Sequence, residues 1–420
     1  MESLVNKRKP PAKVALNRLR LILLTALLLN VSFRIVAIGL QLNTLSSSDM
    51  PTILGDFGGT KERFDAFRHS SMALLENALL IPIWKVFLGL VMIGFMTPGL
   101  LWNGICQGRL GRFKILFRSG VFFVFFALIT VLGGFMETPR LLKESLSDTM
   151  IETYLSGAHI DVLKMGTRWI LFSLGNTVVQ NQPVSSFLVA SALEIGYSTW
   201  RRQESLWNVT EASALPRSEN TEPLFQMAER ARFPTDKLHR GSGRGAFYFS
   251  TPFDEIICIE PCTLRRPKDE LLGVLAHELG HSAQGDCYAR LFSDSSFRGI
   301  AYNAMYIFFT SKNRLFFELF GYATEPLAGA LWNAYILYQI FDVFWIILVN
   351  AMEIYKEHDA DLYAAAFGYA DGLAKFLAAV GYPIVSHPMF SLLHGSHPPV
   401  DKRLTRLAVF GNRPNAPISM

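Results

Sequence analysis

Residues 271–286 read LLGVLAHELGHSAQGD, and the pentapeptide HELGH within them, His277 to His281, decides how the rest of the chain is read. An H-E-x-x-H on a helix sets two imidazoles four residues apart, so both face the same way. Two His nitrogens at about 2.0–2.1 Å then occupy two corners of a tetrahedral zinc. Glu278, between them, is placed to accept a proton from water that the metal has made acidic. The preceding DELLGVLA has a helical period, opens on acidic residues and contains no breaker besides Gly273. The plainer reading is a buried helix carrying two core histidines, and the pentapeptide alone does not exclude it.

Composition points to a membrane. Half of the 420 residues are hydrophobic, 18% are charged and Phe alone supplies 33. Soluble globular proteins carry about 25% charge. The deficit, with a mean hydropathy of +0.25, predicts a membrane protein. The net charge of +5 is spread along the chain, and no basic block is interleaved with aromatics, which argues against nucleic acid as a partner. The basic cluster NKRKPPAK (6–13), with Arg18 and Arg20, adjoins the first apolar run and reads as a topology signal. Of four cysteines, Cys258 and Cys262 are spaced C-x3-C, but no second pair follows to complete a structural zinc site. Buried thiols are the simpler expectation, and no disulfide framework is expected.

Four apolar runs precede the motif: 21–40, 78–96, 119–136 and 169–193. The first is long enough to cross a bilayer core of about 30 Å despite Arg34. It reads as a retained anchor, because no small-residue cleavage site follows an h-region of suitable length. Lys85 interrupts the second. The fourth carries Asn176, Gln180, Asn181 and Gln182, which suit a bundle interior or a water-filled cavity. From about 198 to 270 the chain turns polar, with an amphipathic helix expected at 222–232 and two short strands within GAFYFSTPFDEIICIE (245–260). Apolar stretches return at 299–323 and 326–352, the latter containing Asp342. The expected architecture is mainly α. It comprises a polytopic bundle of about seven spans, with a small α+β domain of HExxH type. The expected division is a transmembrane bundle at 1–197 and a metallopeptidase domain at 198–420.

A catalytic zinc with two His ligands needs a third protein ligand and one open position. The residues after His281 are Ser282, Ala283 and Gln284, so no G-x-x-H supplies it. Downstream, NAMEIYKEHDADLYAAA offers Glu353, Glu357, His358, Asp359 and Asp361. Glu357 and Asp361 lie four apart on one helix face, which suits one carboxylate on the metal and another holding a ligand imidazole in its tautomer. Glu353 shares that face and competes for the third position. An isolated E-x-x-x-D is more often a solvated face, but this one follows directly from an apolar span, where charge needs a reason. A third cluster, LLHGSHPPVDKRLTRL (392–407), holds His397 extended before two prolines, able to face a cleft and stabilise an oxyanion.

In this order, His277–His281, Glu357–Asp361 and His397-Pro398-Pro399 with Arg403-Leu404 resemble the CAAX prenyl protease 1 family of integral-membrane zinc endopeptidases. The resemblance covers residues 222–407. It implies one Zn2+ held by His277, His281 and Glu357, with Glu278 as general base and His397 stabilising the tetrahedral intermediate. Asp361 and Arg403 then support the ligands from behind. It also implies an intramembrane chamber, an endoplasmic reticulum membrane location with the site open to the cytosol, and prenylated C-terminal CaaX segments as substrates, with lipid and no obligate protein partner. The family's substrate-binding edge strand commonly reads Asn-Ala-Tyr-Phe, whereas Gly245, Ala246, Phe247 and Tyr248 stand here. An extended substrate is still expected to pair there through its backbone. The competing functional classes are a membrane quality-control metalloprotease of the heat-shock type and a catalytically silent membrane scaffold.

Overall fold

The structure, a computed structural model, describes residues 13–107, 121–122, 124, 182–210, 214–241, 245–285, 295–310, 314–322, 327–395 and 397–411. It is mainly helical with one small sheet. The elements that organise it are helices α1 (Lys13–Ser47), α2 (Leu80–Gly89), α3 (Thr97–Gln107), α4 (Pro183–Thr210) and α5 (Glu222–Arg230). Strands β1 (Leu238–Arg240), β2 (Ala246–Ser250) and β3 (Glu255–Ile259) follow. Helices α6 (Lys268–Ala283), α7 (Ser295–Thr310), α8 (Arg314–Leu319), α9 (Leu327–Ala366), α10 (Ala370–Val380) and α11 (Val400–Gly411) complete it.

Among the described residues, two helices are long and apolar enough to cross a membrane, Ala15–Ser47 and Ile336–Ala366. Pro82–Gly94 and Thr97–Gln107, bent by 51°, make a third if counted as one span. The first run is thus part of one long helix, and the second lies in the bent pair. Most of the run at 119–136 and residues 169–181 of the fourth, with Asn176, Gln180 and Asn181, fall outside the described residues, while Gln182 is exposed. The apolar stretch 299–323 divides between α7 and α8, each too short to span by itself. A continuous bundle of about seven spans is therefore not what the described residues delineate.

Two further differences concern helix ends. The change of composition near 198 is not a break: α4 runs on to Thr210. Likewise α9 carries the apolar run and the acidic KEHDAD through 40 uninterrupted residues. No Gly or Pro falls between Ala330 and Ala366, so the polar residues continue the helix that the apolar ones begin.

The chain divides into two units. The first comprises Met1–Ile38, Ala73–Ser191 and Ile300–Phe344. Its core packs Leu23 and Leu27 of α1 with Trp102, Phe122, Tyr306, Phe320 and Leu337. The three charges that interrupt the apolar runs meet there. Asp342 accepts from Arg34 at 2.9 Å and from Lys85 at 3.1 Å, while Asn30 bridges Arg34 and the same carboxylate. Each charge is thus compensated inside an apolar unit; removing one partner of such a pair typically costs about 3–5 kcal/mol.

The second unit comprises Gly39–Met72, Ala192–Gly299 and Trp345–Met420. Its sheet has the order β1-β3-β2, with β3 central, β1 parallel to it and β2 antiparallel. Tyr248 pairs with Ile257, and Ser250 with Glu255. The two strands expected within 245–260 are β2 and β3, and α5 is the expected amphipathic helix. The three-residue β1 has no alternating pattern to announce it.

Candidate metal centre

Helix α6 is buried from Glu270 to His281, both histidines and Glu278 included. Its glycines are the points of closest approach to its neighbours. A Cβ on Gly273 would stand 2.3 Å from the backbone nitrogen of Leu373 in α10. On Gly280 it would stand 2.9 Å from Cα of Ala360 in α9. Gly273, which weakens the helix as a sequence, is therefore required by packing, and Gly280 brings HELGH against the acidic segment of α9.

The consequence is a three-residue donor set. One ligand atom from each of His277, His281 and Glu357 lies within 4.8 Å of the others, and all three residues are buried. His277 Nε2 is 3.5 Å from Glu357 Oε2, and His281 Nε2 is 3.4 Å from Glu357 Oε1. The two imidazoles stand nearly perpendicular, at 83°. Glu357 Oε2 accepts no hydrogen bond among the described residues, although Arg403 Nη1 approaches to 3.2 Å. Two imidazole nitrogens and one carboxylate, whose buried Oε2 lacks a donor, fit a borderline-soft divalent cation such as zinc. Among the described residues this is the one such grouping. Glu353, the competitor, instead lies 3.9 Å from Lys356.

Asp361 and Arg403 form the support behind it. Asp361 Oδ1 is 3.0 Å from His277 Nδ1, which leaves Nε2 facing Glu357. Arg403 binds both oxygens of Asp361, Nε to Oδ2 at 2.8 Å and Nη2 to Oδ1 at 2.6 Å, a two-pronged pairing that fixes the carboxylate plane. Burial opposes a charge on His277, but the adjoining carboxylates of Asp361 and Glu357 outweigh that and push the imidazole up to about 9. The field that favours a proton there equally favours a metal cation in its place. Burial likewise opposes the charge on Arg403, and the carboxylates of Asp361 and Glu357 more than compensate, raising it.

His397 reaches the same carboxylate, Nε2 standing 3.3 Å from Glu357 Oε1. With 53% of its side chain exposed, it occupies the open side of an otherwise buried cluster. Pro398, Pro399 and Val400 behind it are buried and lead into α11.

The candidate base meets the sheet. Glu278 Oε2 accepts the backbone N–H of Tyr248 at 2.7 Å. The carbonyl of Gly245, by contrast, accepts from Glu260 on the β3 side. Alternation along the strand therefore turns the backbone groups of Ala246 and Tyr248 to the outer edge and those of Phe247 towards β3. Of the three residues expected to meet substrate, Ala246 alone has its backbone groups on that edge. Gly245 precedes the strand at φ +137°, a conformation L side chains rarely adopt. The glycine that replaces the family's Asn is thus a requirement of this backbone. The reading from sequence missed Tyr248, Glu255 and Ser282, whose contacts depend on strand register.

Among the described residues, Cys258 and Cys262 join no metal grouping. Cys258 is buried in β3, where desolvation pushes its thiol up to about 12, and Cys262 is exposed.

Residues 226–409 match the sequence profile of Peptidase family M48. The match covers less than half of the chain and marks that segment as similar to the family. It is 26% identical over 213 residues to CAAX prenyl protease 1 of Saccharomyces cerevisiae, covering 44% of this chain and 46% of that one. The CAAX prenyl protease 1 homolog of Arabidopsis thaliana is also 26% identical, over 205 residues, 45% of this chain and 47% of that one. The matched stretch spans about half the length of these curated relatives. A crystal structure of Ste24p from S. mikatae superposes with a TM-score of 0.70 at 18% identity, covering 92% of this chain and 98% of that one; the two share a fold. The resemblance drawn from the motifs is upheld, and with its long apolar helices the chain is an integral membrane protein.

Proposed function

We propose that this chain is a zinc-dependent membrane endopeptidase that removes the C-terminal tripeptide of prenylated CaaX proteins. The observation that carries the reading is the convergence of His277, His281 and Glu357 beside the outer edge of β2, where the Tyr248 N–H holds Glu278. Residues 198–420 supply the chemistry in this proposal, and the first 197 residues supply most of a bundle enclosing the chamber.

His277, His281 and Glu357 would hold the zinc. When bound, zinc supplies a Lewis acid that lowers the pKa of water from 15.7 towards about 7 and polarises a carbonyl. Glu278 accepts the proton from the attacking water and returns it to the leaving amine. Tyr248 aims the Glu278 carboxylate while it does so. Asp361 accepts the Nδ1 proton of His277 and so reserves Nε2 for the metal. Arg403 keeps Asp361 in that orientation. His397, on the exposed side, donates to the oxyanion as the carbonyl becomes tetrahedral.

Substrate would lie along β2, pairing with the outward backbone of Ala246 and with the Tyr248 carbonyl. Specificity would then come from the lipid-modified cysteine and the chamber, because no Asn side chain at 245 reads the peptide. An endoplasmic reticulum membrane location with a cytosol-accessible site accords with prenylated cytosolic substrates. Matched farnesylated and unprenylated CaaX peptides test the reading with zinc-loaded protein in detergent or vesicles. Cleavage confined to the farnesylated peptide at the Cys–aliphatic bond is expected. Equal cleavage of both would favour the quality-control reading, and cleavage of neither would contradict the peptidase.

A further inference from the structure

Tyr248 touches the candidate site in three ways. Its backbone N–H donates to Glu278 Oε2 at 2.7 Å. Its ring lies over that of His281, with centroids 6.5 Å apart and planes 16° from parallel. Its hydroxyl donates to Glu255 Oε2 at 2.7 Å. The same Glu255 oxygen accepts from Ser282 Oγ at 2.8 Å, and Ser282 directly follows His281 on α6. Glu255 pairs with Ser250 across the ladder, so Tyr248, two residues back along β2, shares its face of the sheet. One carboxylate oxygen therefore ties the edge strand to the last turn of the HELGH helix.

We propose that Glu255 is a positioning residue that, through Tyr248 and Ser282, sets the register between the outer edge of β2 and the Glu278 carboxylate. The inference rests on the peptidase reading. A peptide paired with β2 has its scissile carbonyl placed by the strand, while the proton acceptor is placed by α6. Two elements that meet only through packing can slide against each other, and a misplacement of about 1 Å can cost about 10²-fold in rate. A carboxylate oxygen has lone pairs for two donors at once, which suits Glu255 to the task. Neither Glu255 nor Ser282 belongs to the donor set, so the tie can be cut without removing a ligand.

Tyr248→Phe, Ser282→Ala, Glu255→Gln and Glu255→Ala, each zinc-loaded, test this with a farnesylated CaaX peptide and with amide hydrogen exchange. Tyr248→Phe and Ser282→Ala should lower kcat by about tenfold to 10²-fold, leave KM within about twofold and keep full zinc content. Glu255→Gln, which retains an acceptor oxygen, should keep more activity than Glu255→Ala. A merely structural contribution would lower zinc content and melting temperature with both kinetic constants, and that pattern would overturn the proposal. Exchange needs no substrate: the Tyr248 amide should be protected in the parent protein and lose protection when Glu255 or the Tyr248 hydroxyl is removed. If the parent cleaves no peptide, the peptidase reading fails and exchange alone decides the tie. Unaltered protection in Tyr248→Phe and Glu255→Ala would overturn it.

Discussion

Gly280 lies against Ala360, so closely that a Cβ on Gly280 would stand 2.9 Å from Ala360 Cα and 3.0 Å from Tyr363 Cβ. This contact brings the HELGH helix to the carboxylates of α9. Gly280→Ala should push the helices apart by a few tenths of an ångström, at a cost of about 1–3 kcal/mol typical of overpacking. Reduced zinc content with a lowered melting temperature is expected, and Gly280→Val should be worse. Metal analysis beside a thermal melt checks both.

Glu357 rather than Glu353 belongs to the donor set. Glu357→Gln should leave the purified protein with well under one zinc per chain, whereas Glu353→Gln should retain a full equivalent. Asp361→Asn removes the acceptor behind His277 and should weaken zinc by about 10–100-fold. Competition with a chromogenic chelator measures all three.

Gly245 stands at φ +137°, so installing the family's Asn there should not restore a substrate contact. Backbone strain of about 1–3 kcal/mol is expected instead. Gly245→Asn should thus melt at a lower temperature and show no gain in kcat/KM on a prenylated peptide.

The two neighbouring cysteines differ in chemistry. Burial raises the Cys258 thiol to about 12, so it stays protonated near pH 8, where a free thiol of pKa about 8.5 is partly thiolate. Iodoacetamide at pH 8 should modify exposed Cys262 and spare Cys258, as read by peptide mass spectrometry. Because the folded pKa is raised, the neutral thiol's contribution to stability holds below the unfolded pKa. It is lost as pH climbs from there towards 12. Modification of Cys258 should therefore appear only on unfolding or in strong alkali.

Much of the site was legible because its ligands obey helix spacing. His277 and His281 are one turn apart, as are Glu357 and Asp361, and each pair shares a face whatever the tertiary structure. Glu353 shares that face as well, so periodicity could not choose between it and Glu357. The close approach of Gly280 to Ala360 makes that choice, and it lies between helices distant in sequence. Tyr248, Glu255 and Ser282 were hidden for the same reason, since strand register and the seating of α6 on the sheet bring them together. In the fold, Arg34, Lys85 and Asp342 stood out as charges in apolar runs, yet nothing in the runs themselves paired them. The unbroken α9 was read as two pieces because its composition changes while its helical geometry does not.

Glu278→Gln tests the central claim most directly, because it removes the proton acceptor and leaves all three proposed ligands in place. The expected result is one zinc per chain, an unchanged melting temperature and cleavage of a farnesylated CaaX peptide reduced by at least about 10³-fold. Retained cleavage in that variant, with zinc bound, would contradict the assignment of Glu278 and the mechanism built on it.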